Sequence, residues 1–184
     1  MFEVLDEVCQ PTRATKYSAG FDLYARESVI IGAGETKIVP LGVRIYFETF
    51  WKQHCNDNLF DKSDYQQGLF KDVFLKRHYL ELHPRSSLRA KGLVVGVGII
   101  DLDFKDEIGL IVHYPLKVHD WNAQYKNEEE YSPDYEVLGE DNYTINKGDK
   151  VAQILLKEHK GYLLGIESDV ERNGGFGSTD KDNA

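Results

Sequence analysis

At 184 residues and 41% hydrophobic side chains, the chain is long enough for one well-buried core and too apolar to be disordered throughout. Its two cysteines, Cys9 and Cys55, lie in no Cys-x-x-Cys spacing, which excludes a disulfide framework or zinc ribbon and predicts reduced thiols. The formal charge is −9, but residues 118–142 alone carry −7, so the rest is close to neutral and has room for a local cationic pocket. A general nucleic-acid binder would be basic overall, so direct nucleic-acid binding is not expected. No apolar run reaches membrane-spanning length, and the acidic start (Glu3, Asp6, Glu7) is unlike a signal peptide. A soluble cytoplasmic or otherwise intracellular protein without membrane contact is the expectation.

In chain order, Phe2, Val4 and Leu5 predict an opening strand, and Pro11 to Ser18 a turn-rich loop. If Ala19–Ala25 is a strand, Phe21, Leu23 and Ala25 share one face and Asp22 takes the other, where a lone acid is usually solvated. Segments at 29–31, 37–40 and 42–47 read as short strands with Gly/Pro punctuation, the pattern of an all-β sandwich or barrel. Residues 48–79 break that rhythm. Leu69, Phe70, Val73, Phe74 and Arg77 are spaced for one helical face, which predicts a helix over 66–77. His54, Cys55, His78 and His83 match no common zinc spacing.

Leu80–His83 returns to alternation and leads into Pro84-Arg85-Ser86-Ser87-Leu88-Arg89-Ala90-Lys91-Gly92. An arginine fork, two hydroxyls and a turn entering a short helix suit phosphate oxygens; the alternative is a serine N-cap on a solvated basic helix. No G-x-S-x-G elbow surrounds these serines. Two β-branched runs, Leu93–Ile100 and from Ile108, flank a polar interval and predict a β-hairpin with Asp101, Phe104 and Lys105 at its tip. Its glycines open the backbone to a ligand, and Asp101 is placed to serve as a general base; a surface hairpin with solvated acids is the alternative. The segment 118–142, with Glu128-Glu129-Glu130 and Pro133, reads as solvated rather than core. Lys147-Gly148-Asp149 predicts a turn, followed by a strand burying Val151 and Ile154–Leu156. The glycine-rich 171–184 segment reads as a flexible tail, or as a lid that orders on a ligand.

Five stretches in this order resemble the five motifs of the trimeric dUTPases, which hydrolyse dUTP to dUMP and pyrophosphate. They are Ala19-Gly20-Phe21-Asp22-Leu23, Arg85-Ser86-Ser87, Gly98-Ile99-Ile100-Asp101 with Phe104-Lys105, Gly148-Asp149-Lys150-Val151-Ala152-Gln153, and Arg172 to Thr179. Each is weak alone, and the ordered set is specific. The resemblance implies one domain over 1–184, a distorted jelly-roll or barrel-like β fold with a short helix after the second motif, and insertions at 48–79 and 118–142. It implies that Asp101 is the base; that Arg85, Ser86, Ser87, Gln153, Arg172, Ser178 and Thr179 hold phosphates; and that Gly98, Ile99, Ile100, Phe104 and Phe176 hold uracil and deoxyribose. Mg2+ would ride mainly on the phosphates, with Asp22 touching it through water. A homotrimer with shared sites is implied, and the insertions form a candidate surface for a protein partner. Phe104 for Tyr, Lys105 for Arg, Asp106 for Gly and Asn173 for Gly are departures from the family pattern. A dCTP deaminase of the same fold is one rival, although that enzyme's glutamate, ten residues after the aspartate, is replaced here by Ile111. A regulatory binding module of the same fold is the other.

Overall fold

The computed structural model describes residues 1–54, 64–116, 118–120, 135–137 and 142–165. Their strands are β1 (Phe2–Val4), β2 (Phe21–Tyr24), β3 (Val29–Gly32), β4 (Thr36–Pro40), β5 (Val43–Ile45) and β6 (His78–Pro84), then β7 (Val94–Val95), β8 (Gly98–Asp101) and β9 (Gly109–His113). Four more follow: β10 (Val118–Asp120), β11 (Tyr135–Val137), β12 (Asn142–Ile145) and β13 (Lys150–Glu158). Helices α1 (Phe47–His54) and α2 (Asp64–Leu75) separate β5 from β6, and the one-turn α3 (Ser86–Ala90) follows β6.

All ladders among the described residues are antiparallel. A four-stranded sheet in the order β2-β13-β6-β8 and a three-stranded sheet β4-β9-β7 are joined by the pairs β1-β5 and β3-β12. Leu23, Leu80, Leu82 and Ile154 of the larger sheet meet Val39, Val95, Leu110 and Val112 of the smaller in one buried core. The alternation of burial along β9, with Leu110 and Val112 in and Ile111 out, follows from the two-residue period of a strand. This is the predicted mostly-β, jelly-roll-like architecture; among the described residues no sheet closes into a barrel. No described helix is long and apolar enough to cross a membrane.

Several local readings change. The apolar runs around Asp101 do not form a continuous ladder: β8 pairs with β6, and β9 with β4 and β7. The two arms are tied only at their base, where Val94 and Val95 face His113 and Val112, and beyond that they part into different sheets. The segment expected as one strand to Phe47 ends at Ile45 and turns into α1. Phe47, Phe50 and Trp51 are spaced three and four apart on α1 and meet Phe74 of α2 at ring-centroid distances of 5.7–6.2 Å. The helix expected at 66–77 lies at 64–75, with Phe74 inward but Leu69, Phe70 and Val73 exposed, and a Lys71–Glu48 ion pair ties it to α1. Phe21 and Leu156, both expected inside, are about two-fifths exposed. The β2–β13 ladder ends where Phe21 faces Ile154, so Leu156 lies past the last β2 residue and packs only in a surface groove with Phe21, Phe2 and Phe50. Within the acidic 118–142 segment, β10 and β11 form a short ribbon.

Candidate active site

The outer face of the four-stranded sheet carries most of the polar residues singled out in the sequence. Asp22 on β2, Gln153 on β13 and His83 on β6 stand side by side in register, and Asp101 lies opposite Tyr79 farther along the same face. Asp22 is not the solvated strand acid that alternation suggests: it is 1% exposed. Its Oδ1 accepts from Arg85 Nη1 at 2.5 Å and from Gln153 Nε2 at 2.9 Å, and its Oδ2 accepts from Lys150 Nζ at 3.2 Å. A charge buried this deeply is tolerated because it is paired and hydrogen-bonded. Burial pushes the Asp22 carboxyl up, but the hydrogen bonds from Gln153 and Lys150 and the Arg85 charge outweigh it, so the group sits below the usual carboxylate range. The Lys150 ammonium is raised in turn, chiefly by its hydrogen bond to Asp22.

Lys150 and Gln153 are three apart, a spacing that puts side chains on opposite faces of a regular strand. Here Lys150 faces Tyr24, Ala152 faces Leu23 and Gln153 faces Asp22, so Val151 is an extra residue, a β-bulge. The bulge turns both polar side chains to Asp22 while Val151 and Ala152 are both buried. Lys150 also lies over the Tyr24 ring at 5.6 Å, and Tyr24 Oη is 2.6 Å from Thr12 Oγ1.

Beside this cluster, His83, Pro84, Arg85, Ser86, Gln153 and Leu155 line an open cleft. Arg85 itself occupies the N-cap position of α3 with extended dihedrals and no side-chain cap, so neither serine caps the helix. Ser86 and Ser87 are exposed, and Ser86 is the one that lines the cleft. Sequence reasoning set His83 aside as a failed zinc ligand, although the alternation of Leu80–His83 already placed it on the outer face. In the structure it sits in the cleft, with Nε2 3.3 Å from Glu81.

The parted arms enclose a second, mostly apolar groove of about 310 Å³, lined by Gly96–Ile100 on one side and Ile108–Ile111 on the other. Leu82 and Phe104 complete its wall, and Phe104 is 8% exposed, part of the core rather than a ring standing free at a tip. Asp101 ends the β8 arm and is exposed. Glu107, unremarked in the sequence, fastens the other arm: it accepts from the Gly42 N–H at 2.7 Å and pairs with Arg26 at 3.1 Å. Arg172, Phe176, Ser178 and Thr179 lie outside the described residues.

The two sites are far apart within one chain. Three interstrand steps and four residues along the strand separate Asp22 from Asp101, a distance of about 20 Å at ordinary sheet spacings, with Gln153 one step nearer. Cations and hydroxyls thus gather at one corner of the sheet, and an apolar groove with a carboxylate gathers at the opposite corner.

A mostly antiparallel, jelly-roll-like sandwich with these two sites defines a class of small β domains, and comparison with known proteins narrows it. The dUTPase family model matches residues 6–54. The deoxyuridine 5'-triphosphate nucleotidohydrolase of Variola virus is 25% identical over 177 residues, covering 92% of this chain and 84% of its own. That of Rickettsia canadensis is 27% identical over 178 residues, covering 92% and 86%. Among solved structures, the dUTPase from Streptococcus mutans aligns at a TM-score of 0.51 with 22% identity, covering 85% of this chain and 94% of the other. The dUTPase of Staphylococcus aureus phage phi11, whose structure displays a species-specific insert, aligns at 0.55 with 18% identity and 97% coverage of both. Over 92% of its length the chain is similar in sequence to these deoxyuridine 5'-triphosphate nucleotidohydrolases, and it shares the dUTPase fold.

Proposed function

We infer that this chain hydrolyses dUTP to dUMP and pyrophosphate, by water attack at the α-phosphorus. The observation that carries this reading is the meeting of three separate segments on Asp22, which sets Arg85, Ser86 and Gln153 around one cleft. Arg85 and Ser86 offer donors to phosphate oxygens, Ser87 stands next to them, and Gln153 offers an amide. The groove between the arms suits a flat base, with the Gly98, Ile99 and Ile100 backbone along the base edge and Phe104 against the sugar. Asp101, at the end of the β8 arm, is proposed to take the proton of the attacking water. Arg172, Ser178 and Thr179 are proposed to reach the outer phosphates, with Phe176 stacking on uracil.

A mutant of the phi11 phage dUTPase is described with a structural Mg(II) ion. For this chain, Mg2+ carried on the triphosphate would neutralise charge on the phosphate oxygens.

A homotrimer with shared sites is proposed on geometric grounds. One triphosphate cannot bridge a water at Asp101 and a clamp about 20 Å away, so the clamp beside a given Asp101 belongs to another copy. Exposed apolar side chains on the smaller sheet and the β8 arm (Ile38, Val94, Val97, Ile99, Ile111) offer a surface for it. Sedimentation of a fully active monomer would contradict this.

Activity is tested with a panel of dUTP, dCTP, UTP and dTTP, measuring pyrophosphate and ammonia together. Pyrophosphate from dUTP alone is expected. Ammonia from dCTP would favour a deaminase, a reading disfavoured by the apolar Ile111 in the groove wall.

A further inference from the structure

We propose that Asp22 is a positioning residue that holds Arg85, Gln153 and Lys150 as a preassembled triphosphate clamp, rather than a ligand for a metal-bound water. The proposal rests on the dUTP reading above and deepens it by adding Lys150 to the phosphate-binding set.

A carboxylate offers about four lone-pair sites. In Asp22, three are taken by donors from three different parts of the sheet, and the group is 1% exposed. The donors are arranged the opposite way: Arg85 is about one-third exposed and lines the cleft, and Lys150, nearly half exposed, stands beside it on the other oxygen of Asp22. A hydrated cation approaching Asp22 meets a guanidinium and an ammonium first, and both repel it. An anion approaching the same place meets two cations already fixed in position, with no cost of ordering them at the moment of binding.

The Val151 bulge is what adds Lys150 to this set. Were residues 150–153 a regular strand with no bulge, their three-residue spacing would point Lys150 to the opposite face of β13 from Gln153. Its position is fixed further by the Tyr24 ring beneath it and by the Thr12–Tyr24 hydroxyl contact. Asp22 also exchanges backbone hydrogen bonds with Thr12, so the hub itself is anchored on both sides of β2.

The test is calorimetric binding of the non-hydrolysable analogue dUpNHpp to the full chain, once with Mg2+ and once in EDTA. Asp22→Asn and Lys150→Met should each weaken binding roughly tenfold or more, the scale of one lost charge-assisted contact, and by the same factor in both buffers. A loss seen with Mg2+ and absent in EDTA would make Asp22 a metal-water contact and overturn the proposal, as would unchanged binding of either variant. If Asp22→Asn fails to fold by circular dichroism, Lys150→Met carries the test, because its side chain is half-exposed. Failure of the unmodified chain to bind dUpNHpp at all would instead remove the dUTP reading on which the proposal rests.

Discussion

Mixing two inactive variants tests whether each site draws on more than one copy of the chain. Asp101→Asn removes the proposed base, and Arg85→Gln removes the proposed phosphate fork; each variant alone should be inactive. The two residues belong to opposite corners of one sheet, about 20 Å apart, so in a trimer each site would take Asp101 from one copy and Arg85 from the next. In an equal mixture that exchanges subunits freely, about three quarters of the trimers contain both variants. Each of these holds one intact site in three, so roughly a quarter of unmodified turnover should return. The assay is steady-state pyrophosphate release after co-refolding the two variants, with each variant refolded alone as the baseline. A mixture that stays at the baseline while forming mixed trimers, verified with two different tags, would refute shared sites.

Three further outcomes are expected. Asp101→Asn alone should lower kcat about 10²- to 10⁴-fold while dUpNHpp affinity changes little, checked by steady-state kinetics and calorimetry; normal turnover would mean another base. Gly42→Ala should destabilise the fold by about 2–4 kcal/mol, because φ is +64° there and the new Cβ would lie 2.4 Å from Cys9 Sγ; an unshifted urea midpoint would contradict the packing. The Asp22 carboxyl is depressed in the folded chain, so its stabilisation is full above the unfolded value near ~3.9 and is lost as pH falls through the lower folded value. Urea midpoints should therefore fall more steeply below about pH 4 for the unmodified chain than for Asp22→Asn. Parallel acid limbs would exclude Asp22 as a linked group.

The phosphate-side residues were legible as residue types at ordered positions, but their three-dimensional relation was not. Asp22 read as a solvated acid because a strand pattern records only which face a side chain takes. Its burial depends on Arg85 and Gln153, which lie 63 and 131 residues away. The bulge at Val151 was equally hidden, since one extra residue in a ladder leaves no mark on composition. By contrast, α1 was readable and was missed: Phe47, Phe50 and Trp51 carry the three-four spacing of a helix, but the β-branched run before them drew the strand assignment too far. Phe104 sits in the core because Leu102, Phe104 and Ile108 all turn inward as the chain passes from one sheet to the other. A hairpin read from its sequence has no reason to do that.

That crossing also bears on assembly. Were β8 and β9 one continuous hairpin, Asp101 would stand at a free tip that could lie over any part of its own sheet. Laddered to β6 instead, β8 becomes the last strand of the larger sheet, and Asp101 is fixed at the far edge from β2. The β2 edge is covered in part by the Thr12–Asp22 bridge, whereas no described strand pairs with the outer side of β8, and Ile99 on that strand is 75% exposed. A bare edge bearing an exposed isoleucine is a surface that a second chain tends to cover. If that second chain brings its clamp corner to this edge, the contact joins unlike surfaces, and such contacts either close into a ring or run on as a filament. Closure at three gives every carboxylate a clamp and leaves no edge open, which is the arrangement the mixing experiment measures.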